Sequence, residues 1–219
     1  MNTELTLYGY WRSSAAYRVR IALNLKGLAY EQVPVHLIKD GGQQHGADYT
    51  ALNPQALLPL LVDAGNGGVR IAQSLAILEY LDEVFPMPAL LPSEPAQRAQ
   101  VRALALHIAC DLHPLNNLRV LQYLSSELGA DDAARDAWYQ HWLHRGLAAV
   151  EAGLNVFNDR LSLGERPGYL EACLVPQLYN ARRFNCDLDA YPRILAMAAR
   201  CESLEAFKQA APEVQPDAQ

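Results

Sequence analysis

Three prolines fall within seven residues in Phe85-Pro86-Met87-Pro88-Ala89-Leu90-Leu91-Pro92, and helix-patterned segments flank them on both sides. Proline lacks the N–H a helix interior needs and pushes its predecessor out of the helical region, so no helix crosses this stretch. It therefore divides the chain into residues 1–85, a linker at 86–92, and residues 93–219. The hydrophobic pattern changes character at the same place, from alternating strand and helix signals to helical signals alone. At 219 residues the chain suits one large domain or two small ones.

Within 1–85, Leu5-Thr6-Leu7-Tyr8-Gly9-Tyr10 alternates as a strand does. Ala16, Val19, Ala22, Leu23 and Leu25 then recur at helical spacing until Gly27. Tyr30 to Leu37 predicts a second strand, parallel to the first through a right-handed crossover. A glycine- and glutamine-rich connection follows, Lys39-Asp40-Gly41-Gly42-Gln43-Gln44. Leu58 to Asp63 and Val69 to Ala72 flank Ala64-Gly65-Asn66-Gly67-Gly68, a hairpin signal. Ser74 starts a helix that Pro86 closes. This order predicts a small mixed α/β sheet. Beyond the linker, four helical stretches are expected: Pro95 to about Leu128, Asp132 to Val156, Tyr169 to Phe184 and Pro192 to Ala210, with a coiled tail from Pro212.

A hydrophobic fraction of 51% and a charged fraction of 19% support a packed core and argue against global disorder. The formal net charge of −6 disfavours a nucleic-acid or anionic-membrane surface. Met1-Asn2-Thr3-Glu4-Leu5 has neither the basic start nor the apolar core of a signal peptide, and no stretch is long and apolar enough to cross a membrane. A cytoplasmic location is expected. Cys110, Cys173, Cys186 and Cys201 form no CxxC pair and are expected to be reduced and buried. His141 and His144 lie three apart on a helix without a third ligand nearby, so no metal is expected.

Trp11-Arg12-Ser13-Ser14 sits between the first strand and the first helix. Its serines suit a helix cap, and the helix N-terminus equally suits a bound anion. Gln73-Ser74 is a second such start, and Leu58-Pro59 enters the hairpin where a cis bond is possible. Cys110-Asp111-Leu112-His113-Pro114-Leu115-Asn116-Asn117-Leu118-Arg119 lies in a helical run that Pro114 should kink.

Tyr10–Ser14, Arg18-Val19-Arg20-Ile21-Ala22-Leu23, Leu37–Gln44, Ala51-Leu52-Asn53-Pro54 and Gln73–Ile77 together resemble the zeta class of cytosolic glutathione transferases. The likeness continues through Leu174-Val175-Pro176-Gln177, Ala181-Arg182-Arg183-Phe184 and Gln215-Pro216-Asp217, and so covers essentially the whole chain. The resemblance implies a thioredoxin-like N-terminal domain followed by an all-helical one, glutathione as cofactor, and a homodimer. It implies cis–trans isomerisation of maleylacetoacetate to fumarylacetoacetate in tyrosine and phenylalanine catabolism. Maleylpyruvate isomerisation and general transferase activity are the alternatives.

Carried across, Ser13 stands at the thiol-activating hydroxyl and Ser14 beside it. Gln44 would hold the glycyl end, the backbone of Leu58 the cysteinyl unit, and Gln73 and Ser74 the γ-glutamyl carboxylate. His113, Asn117 and Arg119 match positions lining the same site. Arg12 and Arg183 would clamp the two carboxylates of a small dicarboxylate substrate, with Arg182 competing for the second role. Three positions depart from the family: Ala15 follows the serine pair, Gly168-Tyr169-Leu170-Glu171 replaces a Thr-x-x-Asp box, and Leu118 stands where maleylpyruvate isomerase-like sequences can carry Arg. Leu118 tilts the expectation towards maleylacetoacetate. Ala15 weakens that of conjugation and dehalogenation.

Overall fold

The computed structural model describes residues 4–157 and 166–219; residues 1–3, part of the N-terminal segment expected above not to be a signal peptide, lie outside them. Two compact units emerge. One comprises residues 1–90 with 202–219, the other 91–201. The last segment thus groups with the first unit, whereas the sequence pattern assigned it to the helical part.

The first unit carries β1 (Leu5–Gly9), α1 (Ser14–Leu25), β2 (Glu31–Pro34), α2 (Ala47–Leu52), β3 (Leu60–Asp63), β4 (Val69–Ala72) and α3 (Ser74–Val84). The sheet order is β2-β1-β3-β4, with β1 parallel to β2 and β3 antiparallel to β4 as expected, and β1 antiparallel to β3, a pairing the sequence pattern left open. In β1, Leu5, Leu7 and Gly9 are buried while Thr6 and Tyr8 are only partly so, which is the alternation of its sequence. β2 is shorter than the expected Tyr30–Leu37. It ends at Pro34, which has no N–H for a ladder and is tolerated because β2 is an edge strand. α1 ends on Gly27 at φ 65°, with the Leu28 N–H bonded to the Leu23 carbonyl, a Schellman closure. α2 lay hidden inside the expected connection, since six residues are too few to show a helical period.

Lys26 closes the end of this unit that leads to the linker. Its Nζ donates to Asp82 Oδ1 (2.9 Å) and to the carbonyls of Phe85 (2.7 Å) and Pro88 (2.9 Å), which satisfies all three ammonium protons in a buried site. Asp82 Oδ1 also accepts the Leu90 N–H.

The second unit is helical: α4 (Pro95–Leu106), a π-helical stretch at His107–Leu112, α5 (His113–Leu115), α6 (Leu118–Ser126), α7 (Asp132–Phe157), α8 (Tyr169–Arg183) and most of α9 (Pro192–Glu202). The single helix expected over residues 95–128 is therefore broken. The His113 N–H bonds to the Ile108 carbonyl, five residues back, so the perturbation from Pro114 takes the form of a π-bulge before it. The helix expected over 192–210 also divides, with α10 (Glu205–Lys208) in the first unit. At the start of α8 the Gly168 N–H donates to Glu171 Oε2 at 2.9 Å; glycine has no side chain to return the bond, so half of a capping box is present. Cys173, Cys186 and Cys201 are buried, but Cys110 is exposed, contrary to expectation; none is in a disulfide. No helix among the described residues is long and apolar enough to cross a membrane.

Candidate active site

The turn closing β1 is pinned by the Ser13 N–H donating to the Tyr10 carbonyl at 2.9 Å. Ser13 has the extended φ −67°, ψ 114° of a helix cap, and its Oγ accepts the Ala16 N–H at 3.2 Å. A hydroxyl engaged as acceptor still carries its own proton as a donor. Ser14 is buried as the first residue of α1. Arg12 is half-buried, with its guanidinium 4.6 Å from the centroid of the Trp11 ring.

The second helix start is built differently. Gln73 has φ 71°, ψ 117°, a left-handed-side conformation that costs a non-glycine residue about 1–3 kcal/mol. Its Nε2 donates to Gln55 Oε1 at 2.6 Å, and no side chain caps α3. Ser74 Oγ accepts from Arg18 Nη1 at 3.2 Å. Leu58-Pro59 is cis, and the preceding Leu57 carbonyl takes bonds from Tyr49 Oη (2.6 Å) and Asn53 Nδ2 (2.8 Å). Gln44 is buried, and its Oε1 has no hydrogen-bond partner among the described residues. A cavity of about 640 Å³ between Tyr8, Val33 and Val35 and the segment carrying Gln44 touches Gly42 and Gln43, but none of Ser13, Gln73 or Ser74.

In the second unit, Asn117 caps α6, its Oδ1 accepting the Arg119 N–H at 3.2 Å, and its Nδ2 lies 3.3 Å from His113 Nε2. His113 and Asn117 are thus brought together, while the Arg119 side chain is exposed. Arg182 and Arg183 are both exposed at the end of α8. The Arg183 guanidinium lies 5.0 Å from the Phe184 ring centroid, and that ring stacks on Tyr139 at 3.9 Å. His144 Nδ1 sits 2.9 Å from Tyr191 Oη, and His141 packs edge-on against Trp142.

Sequence reasoning missed Arg18 and Arg20, which are among the most deeply buried side chains of the chain. Arg20 donates to the carbonyls of Trp11 (2.9 Å), Tyr10 (3.5 Å) and Ala210 (2.9 Å), and burial pulls its pKa down to about 10. The available signal was two arginines inside an otherwise apolar helix.

A family model for the glutathione S-transferase N-terminal domain matches residues 3–83. A probable maleylacetoacetate isomerase of Vibrio cholerae is 53% identical over 98% of this chain and 99% of its own length. The holo structure of a maleylpyruvate isomerase, a bacterial zeta-class glutathione S-transferase, superposes with a TM-score of 0.91 at 47% identity, covering 98% of this chain and 100% of the other. The chain belongs to the zeta class of glutathione transferases. The maleylacetoacetate isomerase of Anaeromyxobacter dehalogenans 2CP-1 superposes with a TM-score of 0.85 at 41% identity, over 98% of this chain and 97% of the other. It holds dicarboxyethyl glutathione and citrate in its active site.

Proposed function

We propose that this zeta-class chain is a glutathione-dependent cis–trans isomerase of maleylacetoacetate, with Ser13 activating the thiol. The observation that carries this reading is the Ser13 hydroxyl. The Ala16 N–H fixes its oxygen and leaves its proton to donate to an anion at the N-terminus of α1. Bound glutathione supplies a thiolate that adds to the cis double bond and departs after rotation about the resulting single bond.

The energies are sufficient. Lowering a thiol pKa of about 8.5 by about two units needs ~2.7 kcal/mol. A helix terminus contributes about 0.3–1 kcal/mol, up to ~2 in partly buried geometry. A hydroxyl bonded to a charged partner adds about 1.5–3 kcal/mol.

The other residues fit the remainder of such a ligand. The uncapped start of α3, with Gln73 held in a strained conformation, suits a carboxylate. Gln44 offers an unsatisfied buried oxygen to an N–H donor, and the cis Leu58-Pro59 backbone suits the cysteinyl unit. The family resemblance assigns Ser14 to the thiol as well, and His113, Asn117 and Arg119 of the helical unit to glutathione. Arg12 and Arg183 each carry a guanidinium suited to bidentate carboxylate binding. The dicarboxyethyl glutathione held by the Anaeromyxobacter relative supports a two-carboxylate substrate. A homodimeric, cytoplasmic enzyme belongs to the same reading.

Leu118, partly exposed at the start of α6, favours maleylacetoacetate; the close fold match to a maleylpyruvate isomerase supports the second substrate. Rates with glutathione on maleylacetoacetate, maleylpyruvate and a chloroacid test the proposal. Turnover of the chloroacid alone, or tight glutathione binding without any isomerisation, would overturn it.

A further inference from the structure

The turn that presents Ser13 is held from behind by the far end of the chain. Trp11 is its pivot. The Trp11 N–H donates to Asp217 Oδ2 at 3.0 Å, across 206 positions of sequence. Its carbonyl accepts from Arg20 Nη2 at 2.9 Å. Both backbone polar groups of one peptide position are therefore gripped by charged side chains, and such bonds are about twice as strong as neutral ones. The second Asp217 oxygen reaches Gln32 Nε2 at 3.4 Å, and Arg20 also donates to Ala210 in the C-terminal segment.

That segment is a built frame. Gln215 is buried, and its Nε2 donates to the carbonyls of Gln209 (2.9 Å) and Ala211 (2.7 Å). The Ala218 N–H returns to the Gln215 carbonyl at 3.0 Å. Asp217 is thus offered to Trp11 from a fixed support.

We propose that Asp217 is a positioning residue for the Ser13 turn: by accepting the Trp11 N–H it sets where the Ser13 hydroxyl stands relative to the thiol. The inference rests on the thiol-activating role given to Ser13 above. Asp217 touches neither thiol nor substrate in this account, so its loss acts through geometry. A displacement of about 1 Å at a reacting centre can cost up to ~100-fold in rate.

The test compares Asp217→Ala, Asp217→Asn and Asp217→Glu in the full chain. Three readouts are taken: thiol ionisation in the glutathione complex, followed by thiolate absorbance against pH; the split between kcat and KM; and amide hydrogen exchange across residues 10–14. Asparagine keeps an acceptor oxygen at the same reach without charge, whereas glutamate keeps the charge and misplaces it. The alanine variant is expected to raise the thiol pKa by about one unit, roughly a threefold loss of thiolate at neutral pH for a thiol lowered by about two units, chiefly through kcat, with faster exchange at Trp11. Asparagine should stay closer than alanine to the unaltered protein and outperform glutamate.

Glutamate outperforming asparagine, or unchanged ionisation and exchange in the alanine variant, overturns the proposal. If alanine compromises folding, the asparagine–glutamate comparison still decides. An unaltered protein with no lowered thiol pKa would refute the role of Ser13 instead, and exchange at Trp11 would then judge the clamp by itself.

Discussion

Replacing Ser13 with alanine removes one atom that serves two ends, and the two losses appear in different experiments. The first is structural. Ser13 Oγ accepts the Ala16 N–H at 3.2 Å, and an N-cap serine replaced by alanine costs about 0.5–2 kcal/mol. In a protein of this size, ~1 kcal/mol lowers Tm by about 2–4 °C, whether or not glutathione is present. The second loss is chemical. A hydrogen bond to a charged partner contributes about 1.5–3 kcal/mol, which at 1.36 kcal/mol per unit raises the bound thiol pKa by roughly one to two units. The helix terminus remains, so the thiol should still ionise somewhat below its free value. The isomerisation rate followed from about pH 6 to about pH 9 should fall about three- to twenty-five-fold at neutral pH and recover as the solution ionises the thiol unaided. Ser13→Thr, which restores both the cap and the hydroxyl, should recover most of the rate. A Ser13→Ala profile lowered equally at every pH, with thiol ionisation unchanged, would refute the reasoning.

Lys26→Met strands the buried Asp82 carboxylate and leaves the Phe85 and Pro88 carbonyls without their donor, so urea denaturation should show a loss of about 3–5 kcal/mol. Adding Asp82→Leu should return part of that. Burial raises the Glu171 pKa, opposed by the bond from the Gly168 N–H. A raised carboxyl pKa means stability that is fully present below the unfolded value of about 4.3 and lost as pH rises through the folded one. Glu171→Gln, whose oxygen still accepts from Gly168, should therefore gain in urea midpoint relative to the unaltered protein between about pH 4 and pH 7. Gly42 sits at φ 100°, and a Cβ there would come 2.5 Å from Gln44 Nε2. Gly42→Ala should displace Gln44 and raise the KM for glutathione several-fold at similar kcat, about 1 kcal/mol of uniform binding.

The mixed sheet, its parallel first pair, its hairpin and the capped start of α1 were legible because short-range patterns write them: alternation in β1, the glycine-rich hairpin, Ser13 before a helical run; the pairing of β1 with β3 was not. The strained Gln73, the Gln55 that holds it and the buried arginines were not legible. No local pattern marks Gln73 for a positive φ, and the apolar residues around Arg18 and Arg20 were the one hint that these side chains are buried. The break around Pro114 was foreseen as a kink, but its π-helical form depends on how residues 107–113 repack. The return of residues 202–219 to the first unit depends on bonds such as Asn24 Nδ2 to the Ala206 carbonyl, between groups 182 positions apart. No pattern of hydrophobicity encodes such a contact.

That return has a consequence for how the protein is made. A chain leaving the ribosome releases residues 1–90 first, yet the unit they belong to ends at 219. Until the last residues emerge, the Arg20 guanidinium lacks its Ala210 acceptor, Asn24 lacks Ala206, and the Trp11 N–H lacks Asp217. The helical unit, whose sequence is continuous, is free to close earlier. Domains usually complete in the order of synthesis; here the half that begins first is finished last. A nascent chain stalled near residue 201 should accordingly hold a folded second unit beside a first unit that proteases still cut.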